Sequence, residues 1–281
     1  MVQLIECPRD AMQGIKKFIP SEIKAKYINK LLQCGFHTID FGSFVSPKAI
    51  PQMRDTSEVL ERLDLSDTET KLLAIVANTR GAQDACSFDE IDFLGYPFSI
   101  SETFQLRNTN ASIEESLERV EQIQSLCLKH GKSMVVYISM GFGNPYGDPW
   151  NVEIVGKWVS ILKELGISIF SLSDTIGVSN PDNISYLFGQ LIPLYPDLNF
   201  GAHLHTTPAT WREKIDAAYR NGCRRFDGAI HGYGGCPMAK EDLTGNMATE
   251  NISMYLDDVE DDSGLKKDRF LEALLMANDV F

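Results

Sequence analysis

The stretch SIEESLERVEQIQSLCLKHGKSMVVYIS, residues 112–139, contains two hydrophobic patterns of different period. Its first part carries an apolar stripe at helical spacing, made of Ile113, Leu117, Val120 and Ile123. Ser112 followed by Glu115 resembles a capping box, a common start of a helix. Its last part, residues 134–139, is rich in β-branched and aromatic residues, which is typical of a strand. The stretch therefore predicts a helix over residues 112–130, followed by a strand.

The same alternation of strand and helix patterns extends along the whole chain. Strands are predicted at residues 3–7, 36–41, 71–77, 91–100, 134–139, 167–172, 198–203 and 224–229, the fourth interrupted by Pro97. Further helices are predicted at residues 20–34, 151–165 and 266–279. Eight strands that each lead to a helix favour a (β/α)8 TIM barrel of the α/β class over an open doubly wound sheet. No G-x-G-x-x-G follows the first strand, as dinucleotide binding by an open sheet would require.

The length of the chain is compatible with one barrel. Its 281 residues are close to the roughly 250 that are typical of this fold. No internal repeat or low-complexity linker divides the sequence, so we expect a single domain over residues 1–281. Within that domain, residues 255–281 are predicted to form a peripheral tail with a helical extension.

The composition excludes several classes of partner. A net charge of -13 without a cluster of Lys and Arg argues against nucleic acid. Six cysteines without Cys-x-x-Cys spacing indicate a reducing cytoplasm rather than a disulfide scaffold. The sequence has no apolar run of about 18 residues and does not start with a basic segment followed by an apolar one, so neither a membrane span nor export is indicated. We expect a cytoplasmic homo-oligomer, with a dimer favoured.

Chemically reactive residues follow the ends of several predicted strands. They are Arg9, Asp10, Asp40, Ser43, Asp174, His203, His205 and Cys236. In a (β/α)8 barrel, the carboxyl ends of the strands and the loops after them form the face that carries the active site. We therefore expect these side chains to meet at that face.

The stretch GAHLHTTP, residues 201–208, holds two histidines separated by one leucine. Alternate residues of a strand point the same way, so His203 and His205 would present two imidazoles to one metal ion. Imidazole suits zinc, whereas a site completed by oxygens of Asp10 and Asn246 favours magnesium or manganese. The alternative is a pair of neutral histidines held by hydrogen bonds without a metal. Their place at a strand end, with Asp10 available, favours the metal site.

Two further residues allow a structural and a catalytic interpretation. A free cysteine is most often a small buried hydrophobe, but Cys236 lies in GGCP, residues 234–237, and a glycine-rich loop can fold over a ligand. Its thiol would then be a proton donor or a nucleophile. Arg9 beside Asp10 could be a surface ion pair worth about 0–1 kcal/mol. At the barrel mouth, an arginine aimed at a developing oxyanion would contribute more.

Seven motifs occur in a fixed order over nearly the full chain. They are PRDAMQ, DFGSFVSPKAIPQM, NTNASIEES, SLSDTIG, HLH, GYGGCP and GNMATE. Together they closely resemble the hydroxymethylglutaryl-CoA lyase family, one of the metal-dependent barrel lyases that also include isopropylmalate and homocitrate synthases. The combination of SFVSPK, HxH, GGCP and GNxATE is specific to the lyase branch. The resemblance implies a carbon–carbon lyase that cleaves 3-hydroxy-3-methylglutaryl-CoA, an acyl-CoA, to acetyl-CoA and acetoacetate.

The resemblance also implies a role for each matching residue. A divalent metal, Mg²⁺ or Mn²⁺ with Zn²⁺ as an alternative, would be held by Asp10, His203, His205 and Asn246. Arg9 would stabilise the enolate oxygen, Cys236 would transfer a proton to the leaving acetyl group, and His203 would also handle a proton. Supporting roles are implied for Asp40, Asp174 and Glu250. Contacts with the substrate, or with the residues around it, are implied for Gln13, Ser43 and Asn108.

Four positions depart from the family pattern. Thr206 follows the second histidine where the family has aspartate, and Asp40 stands where it generally has glutamate. Ala11 replaces a glycine, and Trp211 stands where small residues are expected. These changes leave two alternatives open: a related lyase or acyl-CoA condensing enzyme with another substrate, and a barrel that binds a CoA ester without turnover. The intact set of reactive residues argues against the second.

Overall fold

Eight parallel strands close into a barrel in the computed structural model, which describes residues 1–235 and 244–281. The strands are β1 (Gln3–Glu6), β2 (Thr38–Ser43), β3 (Lys71–Ile75), β4 (Phe93–Ser99), β5 (Ser133–Ser139), β6 (Ile169–Ser173), β7 (Asn199–His203) and β8 (Arg225–Gly228). Each strand pairs with the next and β8 pairs with β1, so the barrel sheet has no free edge. The predicted (β/α)8 TIM barrel is confirmed, and the open doubly wound alternative is wrong.

Helices follow the barrel strands and surround the barrel. They are α1 (Pro8–Gln13), α2 (Ser21–Leu32), α3 (Thr56–Leu60), α4 (Thr79–Cys86), α5 (Glu102–Thr109), α6 (Ile113–Lys129), α7 (Val152–Glu164), α8 (Pro181–Leu194), α9 (Trp211–Arg220), α10 (Thr249–Asp258) and α11 (Lys267–Val280). The capping box predicted for α6 is present, since Ser112 Oγ accepts from Glu115 N at 3.1 Å and Glu115 Oε2 accepts from Ser112 N at 2.8 Å. Pro8 starts α1 directly after β1, because proline suits a first turn in which its missing N–H is not needed.

The strand β2 ends two residues later than predicted. Its pairing with β3 shifts register between Asp40 and Gly42, so a bulge allows the ladder to continue to Ser43. Glycine is needed at position 42, because a Cβ there would lie 2.5 Å from Cγ2 of Thr56. Asp40 is the last residue of β2 that pairs with β3 before the bulge.

The strand β4 is not interrupted at Pro97, contrary to the prediction. Pro97 pairs with Tyr137 of β5, while the pairing of β4 with β3 ends at Gly95. The missing N–H of proline therefore falls beyond the end of the β3 ladder, where it breaks no strand pairing.

A short antiparallel ribbon extends beyond β7. His205–Thr206 pairs with Gly245–Asn246, and His205 lies directly opposite Asn246. Beside this pair, Met247 N donates to Leu204 O at 3.0 Å. The ribbon therefore places a segment that follows β8 against the end of β7. It also brings together two of the predicted metal ligands, His205 and Asn246.

The main apolar core lies between the barrel and its helices, and a smaller cluster fills the barrel interior. Tyr255, where the predicted tail starts, is buried within α10. Helix α11 packs on the barrel surface next to α2, and Phe270 meets Phe36 edge to face at 6.0 Å between ring centroids. No helix in the described part of the chain is both long and apolar enough to cross a membrane.

Candidate functional site

A cleft of about 400 Å³ opens at the carboxyl end of the barrel. Its polar lining includes Arg9, Asp10, Gln13, Asn108, Tyr137, His203 and His205. Its apolar lining includes Val45, Ile50, Ile75 and Phe104. A concave site with an apolar wall and a few converging polar groups is typical of small-molecule binding. The cleft brings together residues that the sequence spreads over almost 200 positions.

The guanidinium of Arg9 is held on two sides. Asp40 accepts from Nε at 3.0 Å and from Nη2 at 2.5 Å through Oδ2. Nη1 donates to Asp10 Oδ1 at 3.0 Å and to Gln13 Oε1 at 3.0 Å. Burial acts to lower the pKa of Arg9, but the attraction of Asp40 and then Asp10 outweighs it and raises that pKa. Arg9 therefore remains a fixed cation at the edge of the cleft.

Asp40 is the fully buried partner of this arginine. Burial raises the pKa of Asp40 to about 6, although the charge of Arg9 and its hydrogen bonds act in the opposite direction. The contact is bidentate, as is favourable for an arginine and a carboxylate. The shorter side chain of aspartate thus reaches Arg9 in this fold.

Asp10 is joined to Asn246 by a hydrogen bond. Asn246 Nδ2 donates to Asp10 Oδ2 at 2.6 Å and to Tyr233 O at 2.8 Å. Burial acts to raise the pKa of Asp10, but Arg9, then His203 and the bond from Asn246 outweigh burial and lower it. Asp10 is therefore a carboxylate near neutral pH, as metal ligation requires.

His203 is oriented by the neighbouring strand. Its Nδ1 lies 3.2 Å from Oδ2 of Asp227, its partner in the pairing of β7 with β8. Asp227 also accepts from Arg225 Nη1 at 2.9 Å and from Ser171 Oγ at 2.9 Å. Burial acts to lower the pKa of His203, but the hydrogen bond and charge of Asp227 raise it. This contact leaves Nε2 of His203 for a ligand.

His205 is buried beside His203, with 5.7 Å between ring centroids. Burial, and next the nearby His203, lower the pKa of His205 to about 4. Its imidazole is therefore neutral near pH 7, which is the form that binds a metal.

Two orphaned atoms indicate that these residues suit a cation. Among the described residues, neither His205 Nδ1 nor Asn246 Oδ1 has a hydrogen-bond partner, although both atoms are buried. Buried polar atoms without partners are costly and are rare in native proteins. Asp10 and His203 lie beside them in the cleft. One carboxylate, two imidazoles and one amide oxygen form a donor set that fits a divalent metal.

A second group of donors lies nearby. Potential ligand atoms of Cys7, His203 and Asp227 fall within 4.8 Å of one another. Burial, and next the charge of Asp227, raise the pKa of the Cys7 thiol well above its usual value. Asp227 is also committed to Arg225 and Ser171. Because a metal binds the thiolate, this group fits an ion less well than the set around Asp10.

Two of the predicted supporting residues, Asp174 and Glu250, are absent from the described lining of the cleft. Asp174 accepts from Ser179 N at 3.0 Å and Ser179 Oγ at 2.5 Å. Glu250 accepts from His231 N at 3.1 Å, three residues before GGCP begins at Gly234. Both residues therefore contact backbone near the predicted ligands rather than the cleft itself.

The three predicted substrate contacts have different surroundings. Gln13 and Asn108 line the cleft. Ser43 does not, and its Oγ accepts from Val45 N at 3.2 Å. Cys236 lies outside the described residues, whereas the preceding Gly235 contributes to the lining.

The buried charged residues that the sequence analysis missed include three on β1 and β8. Arg225 and Asp227 alternate in β8, and charged residues at alternate positions of a barrel strand are a signal that could have found them. Glu6 is the third, at the end of β1. Its Oε1 accepts from Ile230 N at 2.9 Å, and its Oε2 accepts from Thr249 Oγ1 at 2.5 Å.

Glu6 gives a prediction for stability against pH. Burial raises its pKa to about 8, against the opposing hydrogen bonds from Thr249 and Ile230, and Glu250 adds to the rise. Between an unfolded pKa of 4.5 and a folded pKa of about 8, the native protein holds a proton that the unfolded chain has lost. This contribution to the free energy of unfolding therefore falls as pH rises through that window, by up to about 5 kcal/mol.

We expect Glu6→Gln to flatten this decline, because glutamine stays neutral at every pH. Urea unfolding at several pH values between 5 and 8.5 gives the free energy of unfolding at each pH, and hence its slope against pH. Glu102→Gln is the control: Glu102 is an exposed glutamate that also accepts a backbone N–H, from Ile113 at 3.0 Å. Equal slopes for wild type and Glu6→Gln would contradict the prediction.

Comparisons with known proteins agree along the full chain. A family model described as HMGL-like matches residues 2–276. Hydroxymethylglutaryl-CoA lyase from Bacillus subtilis is 34% identical over 266 residues, which cover 95% of this chain and 88% of that protein. The crystal structure of a Bacillus subtilis HMG-CoA lyase is similar with a TM-score of 0.92 and 32% identity, covering 99% of this chain and 93% of that one.

A further solved structure contains ligands. It is an HMG-CoA lyase from Acinetobacter baumannii in complex with coenzyme A and 3-methylmalate. It is similar to this chain with a TM-score of 0.90 and 27% identity, and the match covers 100% of this chain and 91% of that one. Both the sequence and the fold are thus shared over nearly the whole length of these proteins.

Proposed function

Because this chain belongs to the HMGL-like family and is a carbon–carbon lyase, we propose that it cleaves 3-hydroxy-3-methylglutaryl-CoA to acetyl-CoA and acetoacetate. The observation that carries the proposal is the meeting of Arg9, Asp10, His203 and His205 in one cleft at the catalytic face of the barrel. The relative with bound coenzyme A supports an acyl-CoA as the substrate class.

The residues proposed to hold a divalent metal are Asp10, His203, His205 and Asn246. When bound, such an ion would supply a Lewis acid, which eases the loss of a proton from a hydroxyl. The oxygens of Asp10 and Asn246 favour Mg²⁺ or Mn²⁺, and the two imidazoles would also accept Zn²⁺. Elemental analysis of the purified protein distinguishes these ions.

Arg9 is proposed to stabilise the negative charge that develops on the thioester oxygen as the carbon–carbon bond breaks. Its bonds to Asp40, Asp10 and Gln13 leave one N–H of Nη2 uncommitted among the described residues. A cation fixed before the reaction stabilises a developing charge without reorganisation. Asp40 would act by holding Arg9 in this orientation.

Protons must leave the tertiary hydroxyl and reach the acetyl carbon. Asp227 bonds Nδ1 of His203, so ligation and proton transfer by this histidine would both use Nε2 and could not occur at once. Cys236 is proposed as the donor to the leaving acetyl group. Its neighbour Gly235 lines the cleft, and Cβ at Gly234 would lie 2.7 Å from Asp10 O, so only glycine allows this close approach.

The remaining proposals concern assembly and location. We propose a homo-oligomer, with a dimer favoured, and light scattering of the purified protein tests it. We also propose a cytoplasmic location, since the cysteines in the described part of the chain are all free and buried. Fractionation of cells that express a tagged protein would check this.

A direct assay tests the activity. Purified protein is incubated with 3-hydroxy-3-methylglutaryl-CoA and Mg²⁺ or Mn²⁺, and both products are measured by chromatography. We expect acetyl-CoA and acetoacetate in equal amounts. Bound metal without release of acetyl-CoA would contradict the named activity.

The geometry does not favour a different substrate or a loss of turnover. Thr206 and Trp211, which motivated the first alternative, are absent from the described lining of the cleft. The buried network of Arg9, Asp40 and Asp10 is complete, and binding alone gives no physical need for it. Assays with other 3-hydroxyacyl-CoA thioesters separate the first alternative from the proposed function.

A further inference from the structure

The backbone carbonyls of both predicted histidine ligands accept hydrogen bonds from the two residues of one buried ion pair, His203 O from a backbone N–H and His205 O from a lysine ammonium. Asp174 N donates to His203 O at 2.9 Å, and Lys214 Nζ donates to His205 O at 2.8 Å. The two residues are joined to each other, with 3.2 Å between Lys214 Nζ and Asp174 Oδ2. The ion pair therefore bridges the backbone on either side of Leu204.

This ion pair is shielded from water and lies outside the cleft. The side chain of Lys214 is 5% exposed and that of Asp174 is fully buried. Neither residue lines the described part of the cleft, so neither can touch a substrate there. Ser179 fixes Asp174 through two further hydrogen bonds. A buried charge pair with so many committed bonds has little freedom to move.

The ion pair acts where the regular barrel sheet ends. His203 is the last residue of β7, while His205 belongs to the ribbon with Asn246. The barrel ladder, extended by the bond from Asp174 N to His203 O, therefore fixes the backbone of His203 but not that of His205. Lys214 bonds His205 O and also contacts Asp174, so it ties the backbone of His205 to the end of that ladder, as partners behind a metal site commonly orient its ligands.

We propose that Asp174 and Lys214 are positioning residues that set the spacing of His203 and His205 for one divalent ion. This inference rests on the proposed metal site. The inference adds Lys214, on α9, to the residues that support the site. It assigns to Asp174 the role of holding the ammonium group of Lys214 in place. The ligand of this site would be a divalent cation that accepts imidazole nitrogens and oxygens.

The test compares two buried lysines that each donate to one aspartate and to one backbone carbonyl. Lys24 is 2% exposed, donates to Asp55 Oδ1 at 2.6 Å and also donates to the carbonyl of Gln52. Neither Asp55 nor Gln52 lines the cleft. Lys214→Met and Lys24→Met therefore remove equivalent bonds, but only the first removes a bond to a predicted ligand.

Titration calorimetry of metal-free protein with Mn²⁺ measures the effect without turnover. We expect Lys214→Met to weaken Mn²⁺ binding by about 10- to 100-fold, the range for residues that orient metal ligands, while Lys24→Met binds as wild type does. Equal Mn²⁺ affinity for Lys214→Met and wild type would overturn the inference. Equal weakening in both variants would also overturn it, since the cause would then be a general loss of stability.

A paired set of double variants covers the case in which an uncompensated aspartate prevents folding. Asp174→Asn with Lys214→Met removes both charges and the donor to His205 O, and Asp55→Asn with Lys24→Met is its match. Weaker Mn²⁺ binding in the first double variant alone supports the inference, and equal binding in both overturns it. Wild-type protein that binds no Mn²⁺ would overturn the metal site itself, a result distinct from a loss confined to the Lys214 variants.

Discussion

Replacing Arg9 by methionine is expected to lower kcat for cleavage by about 10³-fold, near the upper range for loss of one donor to a developing oxyanion. The substitution removes the cation that Asp40 and Asp10 hold at the edge of the cleft. Methionine keeps much of the side-chain volume but cannot donate a hydrogen bond. Steady-state kinetics with saturating Mn²⁺ and substrate measure the change.

The same substitution leaves Asp40 buried without its partner, which would destabilise the protein. Breaking a buried ion pair in this way typically costs about 3–5 kcal/mol. The double variant Arg9→Met with Asp40→Asn removes the uncompensated carboxylate. We expect it to recover stability in urea but not kcat. A double variant with the kcat of wild type would show that Arg9 has a structural role only.

The second large effect is expected for His205→Ala. This variant removes an imidazole that is neutral because burial, and next His203, lower its pKa to about 4. We expect Mn²⁺ binding to weaken by more than the 10- to 100-fold that is usual for residues behind a ligand, and turnover to fall with it. Calorimetry and the lyase assay on the same protein sample measure both quantities.

The control for this prediction is His130→Ala. His130 is exposed, caps the end of α6 and is not part of the cleft. The His130→Ala variant should bind Mn²⁺ with the affinity of wild type. If His205→Ala retained the stoichiometry and the affinity of wild type, His205 would no longer belong to the ligand set.

Much of the fold could be predicted from periodicity, because strands and helices bury different spacings of apolar residues. Each predicted strand overlaps one barrel strand, and the capping box places the start of α6 at Ile113. The predicted ends of strands were wrong where tertiary contacts determine them. The bulge after Asp40 depends on close packing of Gly42 against Thr56, which no local pattern contains.

The candidate site could be predicted only in part. The strand-end rule of a barrel brings Arg9, Asp10 and His203 together, and the structure places them in one cleft. Asn246 does not follow the end of a predicted strand, so this rule does not find it. Its position opposite His205 depends on a ribbon of two residues per strand, too short to produce a hydrophobic period.

Lys214 gave no signal in the sequence. It lies in WREKIDAAYR, where several charged residues surround it, and charged residues on a helix are usually exposed. Only the packing of α9 against the loop after β6 buries its ammonium group between Asp174 and His205 O. A buried ionic partner of a metal site, such as Lys214, can therefore be recognised only from the three-dimensional structure.

We propose that one divalent ion, held by Asp10, His203, His205 and Asn246, would activate this barrel for carbon–carbon cleavage. The most direct measurement is a titration of metal-free protein with Mn²⁺ in which acetoacetate release from 3-hydroxy-3-methylglutaryl-CoA is followed. We expect no release without metal, and a rate that rises with Mn²⁺ until each chain holds one ion. Release at full rate from the metal-free protein, or none from the fully loaded protein, would contradict the claim.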